Sequence, residues 1–353
     1  MHFSTLFASA GLISSAFAGI LPRSYRIPSS NGFPNPDQEQ LNAINLQAGG
    51  KLPGAPLPTS LGDGSTTAYF SSLLYNVTHG VENYQVDSDK LAEAQKILKT
   101  VIAQEEHHAL GALATLKSAD KFAPSPCKYQ FPVNSLKDAI LLAGTFTDVV
   151  LGALQDANVI FSKEGAPEVV RLISSVIGQE GEQNGFYRLY LEQVPSESPF
   201  LTTVPAAFAW SALQAFVVPG SCTEDISQIK LPIFPGLMVN GGAIAVLEPK
   251  DQTLSFSATL DKSHSDEDLY ITYTTGQQLP YSVKAENVKW HGSSVTLDAE
   301  FPFFELVASG FSHAALTTCN NISTPDDVPT YTLAAPGLIQ VQTPLVGDEK
   351  SHH

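Results

Sequence analysis

The sequence predicts an α+β protein of more than one domain: a four-helix bundle followed by a small antiparallel β-sandwich-like domain. Three observations carry this. Residues 66–217 space their apolar side chains by three and four, as a helix face does. After Pro219 the period drops to two, the spacing of a half-buried strand. The 353 residues, 43% of them hydrophobic, are enough for two cores.

Residues 1–18 form a short apolar run ending in Ala16-Phe17-Ala18, which reads as a secretory signal peptide with a nearly absent basic n-region. Residues 19–62, rich in Pro, Gly, Ser and Asn, read as an extended arm with one short helix near 41–48. Leu21-Pro22-Arg23 offers a weak processing motif there.

The bundle is expected over 63–227. Its first helix carries Phe70, Leu73, Val77, Val81 and Tyr84, with Asn76 on another face. The second starts at an Asp87 or Ser88 N-cap and runs to about 117, with Leu98, Val101, Ala109 and Ala112 on one stripe. The third, 135–161, is apolar nearly all round and should lie deep. The fourth opens with Pro167 in its first turn. A shorter helix follows at 206–217. Strands are expected at 254–260, 269–275, 282–288 and 295–300 within a β domain spanning 228–345, and 346–353 is a tail.

Acidic residues outnumber basic ones by 35 to 19, for a formal charge of -16, and no basic cluster interrupts this. That excludes nucleic acid as a partner. No segment after the leader has about twenty consecutive apolar residues, so no membrane span is expected. With secretion, Asn76-Val77-Thr78 and Asn321-Ile322-Ser323 become glycan acceptors, Asn76 pointing outward. Of the three cysteines, Cys127 and Cys222 form the preferred bridge, because the helix at 206–217 carries the chain back toward Cys127. Cys319 is then free; the alternative is a Cys222–Cys319 bridge.

Helical spacing turns four polar side chains inward. Glu105 and His108 lie on the apolar stripe of the second helix, and Glu180 and Gln183 on that of the fourth. Burying carboxylates costs several kcal/mol unless they are paired, hydrogen-bonded or metal-bound. A Glu-x-x-His facing a Glu-x-x-Gln approaches the carboxylate-bridged di-metal pattern. Glu106, His107 and Glu182 fall off the stripe and are expected in solvent.

Three stretches carry a resemblance: Gln104-Glu105-Glu106-His107-His108-Ala109-Leu110, Phe146-Thr147-Asp148-Val149-Val150-Leu151-Gly152, and 178–188 from Gly178 to Arg188. Together they resemble the ferritin-like domain of secreted fungal proteins of late sexual development and stress response, related to plant desiccation-related proteins. The likeness covers roughly 60–225. It implies a ferritin-like bundle and a six-ligand di-metal site, of which Glu105, His108 and Glu180 remain. Thr66 and Thr147 stand where two further carboxylates would be, Asp148 being rotated about 100° from Thr147, and Gln183 replaces the second histidine. The expectation is therefore a secreted, non-catalytic protein of the extracellular space or cell wall. Its metal site has degenerated into a polar network and needs no cofactor. The first alternative is an iron- or manganese-dependent oxidase, peroxidase or metal binder using Glu105, His108 and Glu180, with Gln183 as neighbour. The second is binding of cell-wall polymers through the β domain, although Tyr273, Tyr281 and Trp290 serve equally as core residues. Gly310-Phe311-Ser312-His313 lacks the glycine after serine that a nucleophile elbow requires.

Overall fold

The computed structural model describes residues 29–51, 65–118, 120–265 and 267–346. The leader, the motif at 21–23 and the terminal histidines lie outside them. The helices are α1 (Gln38–Ala48), α2 (Ser65–Thr78), α3 (Leu91–Ser118), α4 (Leu136–Lys163), α5 (Pro167–Tyr190), α6 (Ala206–Gln214) and the short α7 (Phe303–Leu306). The strands are β1 (Met238–Val239), β2 (Ile244–Leu247), β3 (Gln252–Thr259), β4 (Tyr270–Thr275), β5 (Tyr281–Lys284), β6 (Glu286–His291), β7 (Ser294–Phe301), β8 (Gly310–Thr317) and β9 (Thr332–Val341). The protein is mixed α+β.

Helix α4 starts where extended Ser135 accepts a bond from the Asp138 N–H, which satisfies one of the donors a helix N-terminus leaves open. Residues 164–166 turn the chain back into α5, whose first residue Pro167 has no N–H to leave unpaired. By composition α4 is apolar and long enough to cross a membrane, but 67% of its most apolar window is buried inside the protein, which makes it the core helix expected. Tyr69, Phe70 and Leu73 of α2, Leu98 and Val101 of α3, Ile140 and Leu142 of α4 and Tyr187 of α5 form one cluster. Tyr84 belongs to it but lies beyond the end of α2, so it packs from the following loop.

In the described part of the arm, residues 29–51, the expected short helix is α1, and the segment packs onto the rest of the protein. Asp37 and Gln40 form a capping box at α1, and Phe33 and Ile44 are buried. Gln47 of α1 donates to Thr100 Oγ1 of α3, so this segment covers a face of α3 that helical periodicity assigns to solvent.

The strands form a four-stranded sheet, β1-β3-β7-β6, and a five-stranded sheet, β2-β9-β8-β4-β5. Leu254, Phe256 and Leu297 of the first meet Ile271, Leu316 and Ile339 of the second in a shared core, so the two sheets stack as a sandwich. The expected all-antiparallel arrangement is corrected in one pairing: β2 runs parallel to β9. The expected single strand at 282–288 is two, because the chain crosses from one sheet to the other at buried Ala285, between β5 and β6.

The two halves of the chain share a core as well. Strands β8 and β9 direct Phe311, Ala315 and Leu338 away from the sandwich, onto Val149 of α4, Val204, and Phe208 of α6. The five-stranded sheet is thus covered on both faces. A Cβ on Gly152 of α4 would stand 2.6 Å from Thr202 O and 2.4 Å from Val204 Cγ2, so the segment 202–204 runs against bare helix backbone there. Cys127 and Cys222 are bonded, as expected, and Cys319 is free and half-buried.

Candidate functional site

Helices α3 and α5 bring Glu105, His108 and Glu180 together, with one ligand atom of each within 4.8 Å of the others. The register follows from the helical repeat: positions 105 and 108 lie on one face of α3, and 180 and 183 on one face of α5. His108 Nδ1 is 3.1 Å from Glu180 Oε1 and 3.9 Å from Glu105 Oε1. The nearer contact is an ion pair off the line of a good hydrogen bond. Glu105 Oε1 and His108 Nδ1 are both enclosed with no aligned hydrogen-bond partner. Glu105 and Glu180 are each 4% exposed, and Gln183 is buried.

Burial pushes the Glu105 carboxyl up to about 7, and the Glu180 carboxylate adds to this; His108, Thr66 and Gln183 oppose it with smaller effects. For His108, burial works against the imidazolium, but the contact with Glu180 and the fields of both carboxylates prevail and raise its pKa. Gln183 Nε2 donates to Gln104 Oε1, and Tyr187 Oη donates to Gln183 Oε1. The expected polar network is met in part: Thr66, Glu105, His108, Glu180 and Gln183 lie together, but Glu105 Oε1 and His108 Nδ1 are left without aligned partners. Thr147 is buried in α4, and among the described residues no hydrogen bond links it to the group.

The group lines one part of a cavity of about 460 Å³. Apolar side chains line the remainder, among them Leu113, Val150, Ala153, Ile173 and Ala209. Exposed Lys121, Gln228 and Leu231 also line it.

Three expectations need correction. Glu106 is 1% exposed, because Asn31 of the arm covers it and donates Nδ2 to both carboxylate oxygens at 2.8 and 2.7 Å. Burial pushes this carboxyl up to about 7, with the Asn31 bond opposing. His107 is half-buried, and its pKa is lowered by burial and by neighbouring His108. Asn76 is half-buried and hydrogen-bonded to Tyr84 rather than pointing outward, whereas Asn321 is exposed. Glu182 is exposed as expected.

Sequence reasoning missed a second buried polar group. Asp148 accepts from Asn184 Nδ2 at 2.6 Å, Arg188 Nη2 at 2.7 Å and Gln340 Nε2 at 2.7 Å, and Arg188 also pairs with Glu197. Burial raises the Asp148 carboxyl against the pull of Arg188. Burial and Asp148 together push Glu197 up to about 8. The one sequence clue was the spacing of Asn184 and Arg188 four apart on α5. Gln340, far away in β9, gave none. Ser312 and His313 are enclosed in β8, bonded to Thr275 and to the Thr203 carbonyl respectively, which gives them no nucleophilic arrangement. Tyr273 is buried, Trp290 packs against the sandwich core, and Tyr281 is 38% exposed.

Neither a comparison with protein-family models nor one with curated proteins returns a match to this chain.

The donor set does not fit a di-metal pair. Two ions would share two carboxylates and one imidazole, while Thr66 and Gln183 offer only neutral oxygens beside them.

Proposed function

We propose that this is a secreted, ferritin-like protein of the extracellular space or cell wall that works by binding rather than by catalysis. In this reading its ancestral di-metal site has been reduced to a polar group inside the bundle. The observation that carries it is the cavity: Glu105, His108 and Glu180 line a mostly apolar space of about 460 Å³ instead of facing a completed ligand shell. The leader-like start at 1–18 and the Cys127–Cys222 bridge are compatible with secretion. The resemblance to fungal proteins of sexual development and stress response supplies the biological setting.

A second reading is favoured by the unpartnered Glu105 Oε1 and His108 Nδ1. In it Glu105, His108 and Glu180 hold one divalent cation, iron(II) or manganese(II). Elemental analysis of protein secreted by its native host separates the two. The preferred reading expects substoichiometric iron and manganese, a folded metal-free protein, and no ferroxidase or peroxide-consuming activity. One metal per chain that disappears in Glu105→Ala and Glu180→Ala would establish the second reading instead.

A further inference from the structure

We propose that the bundle cavity is a binding site for a neutral long-chain alcohol, its hydroxyl held at Glu105 and its chain directed toward Lys121. The proposal rests on the binding function argued above and names the ligand class. Size comes first. An apolar protein cavity of about 150 Å³ accommodates one benzene. The cavity here, about 460 Å³, is roughly three times larger and has room for on the order of eighteen carbon atoms. Shape agrees with a chain. The lining of α3 runs from Glu105 to Leu116, a rise of about 16 Å at the helical repeat. Leu113, Val150, Ala153, Leu154, Ile173 and Val176 give it largely apolar walls, with Trp210 among them.

The polar lining selects the head group. Glu105 is 4% exposed, and its Oε1 is an acceptor with no donor; His108 Nδ1 beside it also lacks an aligned partner. A single hydroxyl answers the first by donating its proton to the carboxylate oxygen, while the ring nitrogen stays beside Glu180. A hydrocarbon leaves the Glu105 oxygen unpaired, at the full cost of a buried unsatisfied group. A fatty-acid carboxylate would enter as a third carboxylate beside Glu105 and Glu180, where the one cation, His108, is already paired with Glu180. The same surroundings permit the chain to enter past exposed Lys121, Gln228 and Leu231.

The test is displacement of the neutral dye N-phenyl-1-naphthylamine from the full-length protein by hexadecan-1-ol, hexadecane or hexadecanoate. The alcohol should displace the dye at about tenfold lower concentration than the alkane, the value of one hydrogen bond to a charged group. Glu105→Leu should erase that preference while retaining dye binding. Ala209→Trp, at a half-buried position on the cavity wall, should remove dye and alcohol binding together with an unchanged circular dichroism spectrum; Ala153→Phe provides a second blocking variant if the first fails to fold. Absence of dye binding, equal displacement by alcohol and alkane, or a preference for hexadecanoate that depends on Lys121 would each overturn the proposal. Metal content measured on the same sample keeps the two questions apart. One iron per chain would sink the metal-free reading without touching alcohol selectivity measured after chelation. A metal-free protein with no selectivity would sink only the ligand assignment.

Discussion

Replacing Glu106 by Gln probes a carboxyl that the arm, and not its own helix, removes from water. In the folded protein this group titrates near 7 instead of its ordinary 4.5, because burial disfavours the anion more than the two bonds from Asn31 favour it. A raised carboxyl pKa contributes stability that is fully present below the unfolded value and is lost as pH rises through the folded value. The affected window therefore runs from about pH 4.5 to about pH 7. The shift corresponds to about 3 kcal/mol, since one pKa unit is about 1.4 kcal/mol. Gln does not titrate and retains an oxygen for the Asn31 amide. Measured by urea unfolding, the stability of wild type relative to Glu106→Gln should fall by about 3 kcal/mol between pH 4.5 and pH 8. The other raised carboxyls, including Glu105 and Asp156, titrate in both proteins and drop out of the difference. A difference that stays constant within about 0.5 kcal/mol across this range would mean that Glu106 is solvated and that the arm does not seal it.

Other perturbations address the packing around the site. Gly152→Ala should destabilise by about 1–3 kcal/mol in thermal or urea unfolding, since its methyl group collides with the Thr202 carbonyl and with Val204. Asp148→Ala removes the buried acceptor that Asn184, Arg188 and Gln340 share, leaving Arg188 only Glu197 and Gln340 only Thr145, and should cost about 3–5 kcal/mol; a loss within about 0.5 kcal/mol would deny the network any structural part. Removing the bridge with Cys127→Ser and Cys222→Ser should cost about 2–5 kcal/mol, whereas Cys319→Ser should stay within about 0.5 kcal/mol at neutral pH. Non-reduced peptide mapping of the wild type should return a Cys127–Cys222 peptide and none joining Cys222 to Cys319.

Much of the polar site was legible because it depends on one local rule. The helical repeat places Glu105 and His108 on the stripe of α3 and Glu180 and Gln183 on that of α5, and the structure keeps all four there. The same rule failed one residue away. Glu106 and His107 sit off the stripe, and only the arm returning over α3, with Asn31 some 75 residues distant in sequence, decides that Glu106 is dry. The missed strands have a comparable explanation. A strand exposed on one face alternates apolar and polar residues, as β3 and β7 do. Strand β8 is buried at every position, sandwiched between the other sheet and the helices, so its sequence lacks alternation. Strand β9 also carries Pro336-Gly337, which reads as a turn.

The sequence by itself determined the order of helices before strands, the deep burial of α4, the inward polar side chains and the preferred cysteine pairing. Each of these rests on near-neighbour spacing or on where a helix returns the chain. Tertiary structure alone decided that the two halves share a core, that Gln340 of β9 completes the shell of Asp148, and that Glu105, His108 and Glu180 border a cavity instead of packed side chains. The physical reason is common to all three. Cavities and buried polar partners are properties of surfaces brought together from remote parts of the chain, and periodicity within one element says which face is buried without saying what covers it.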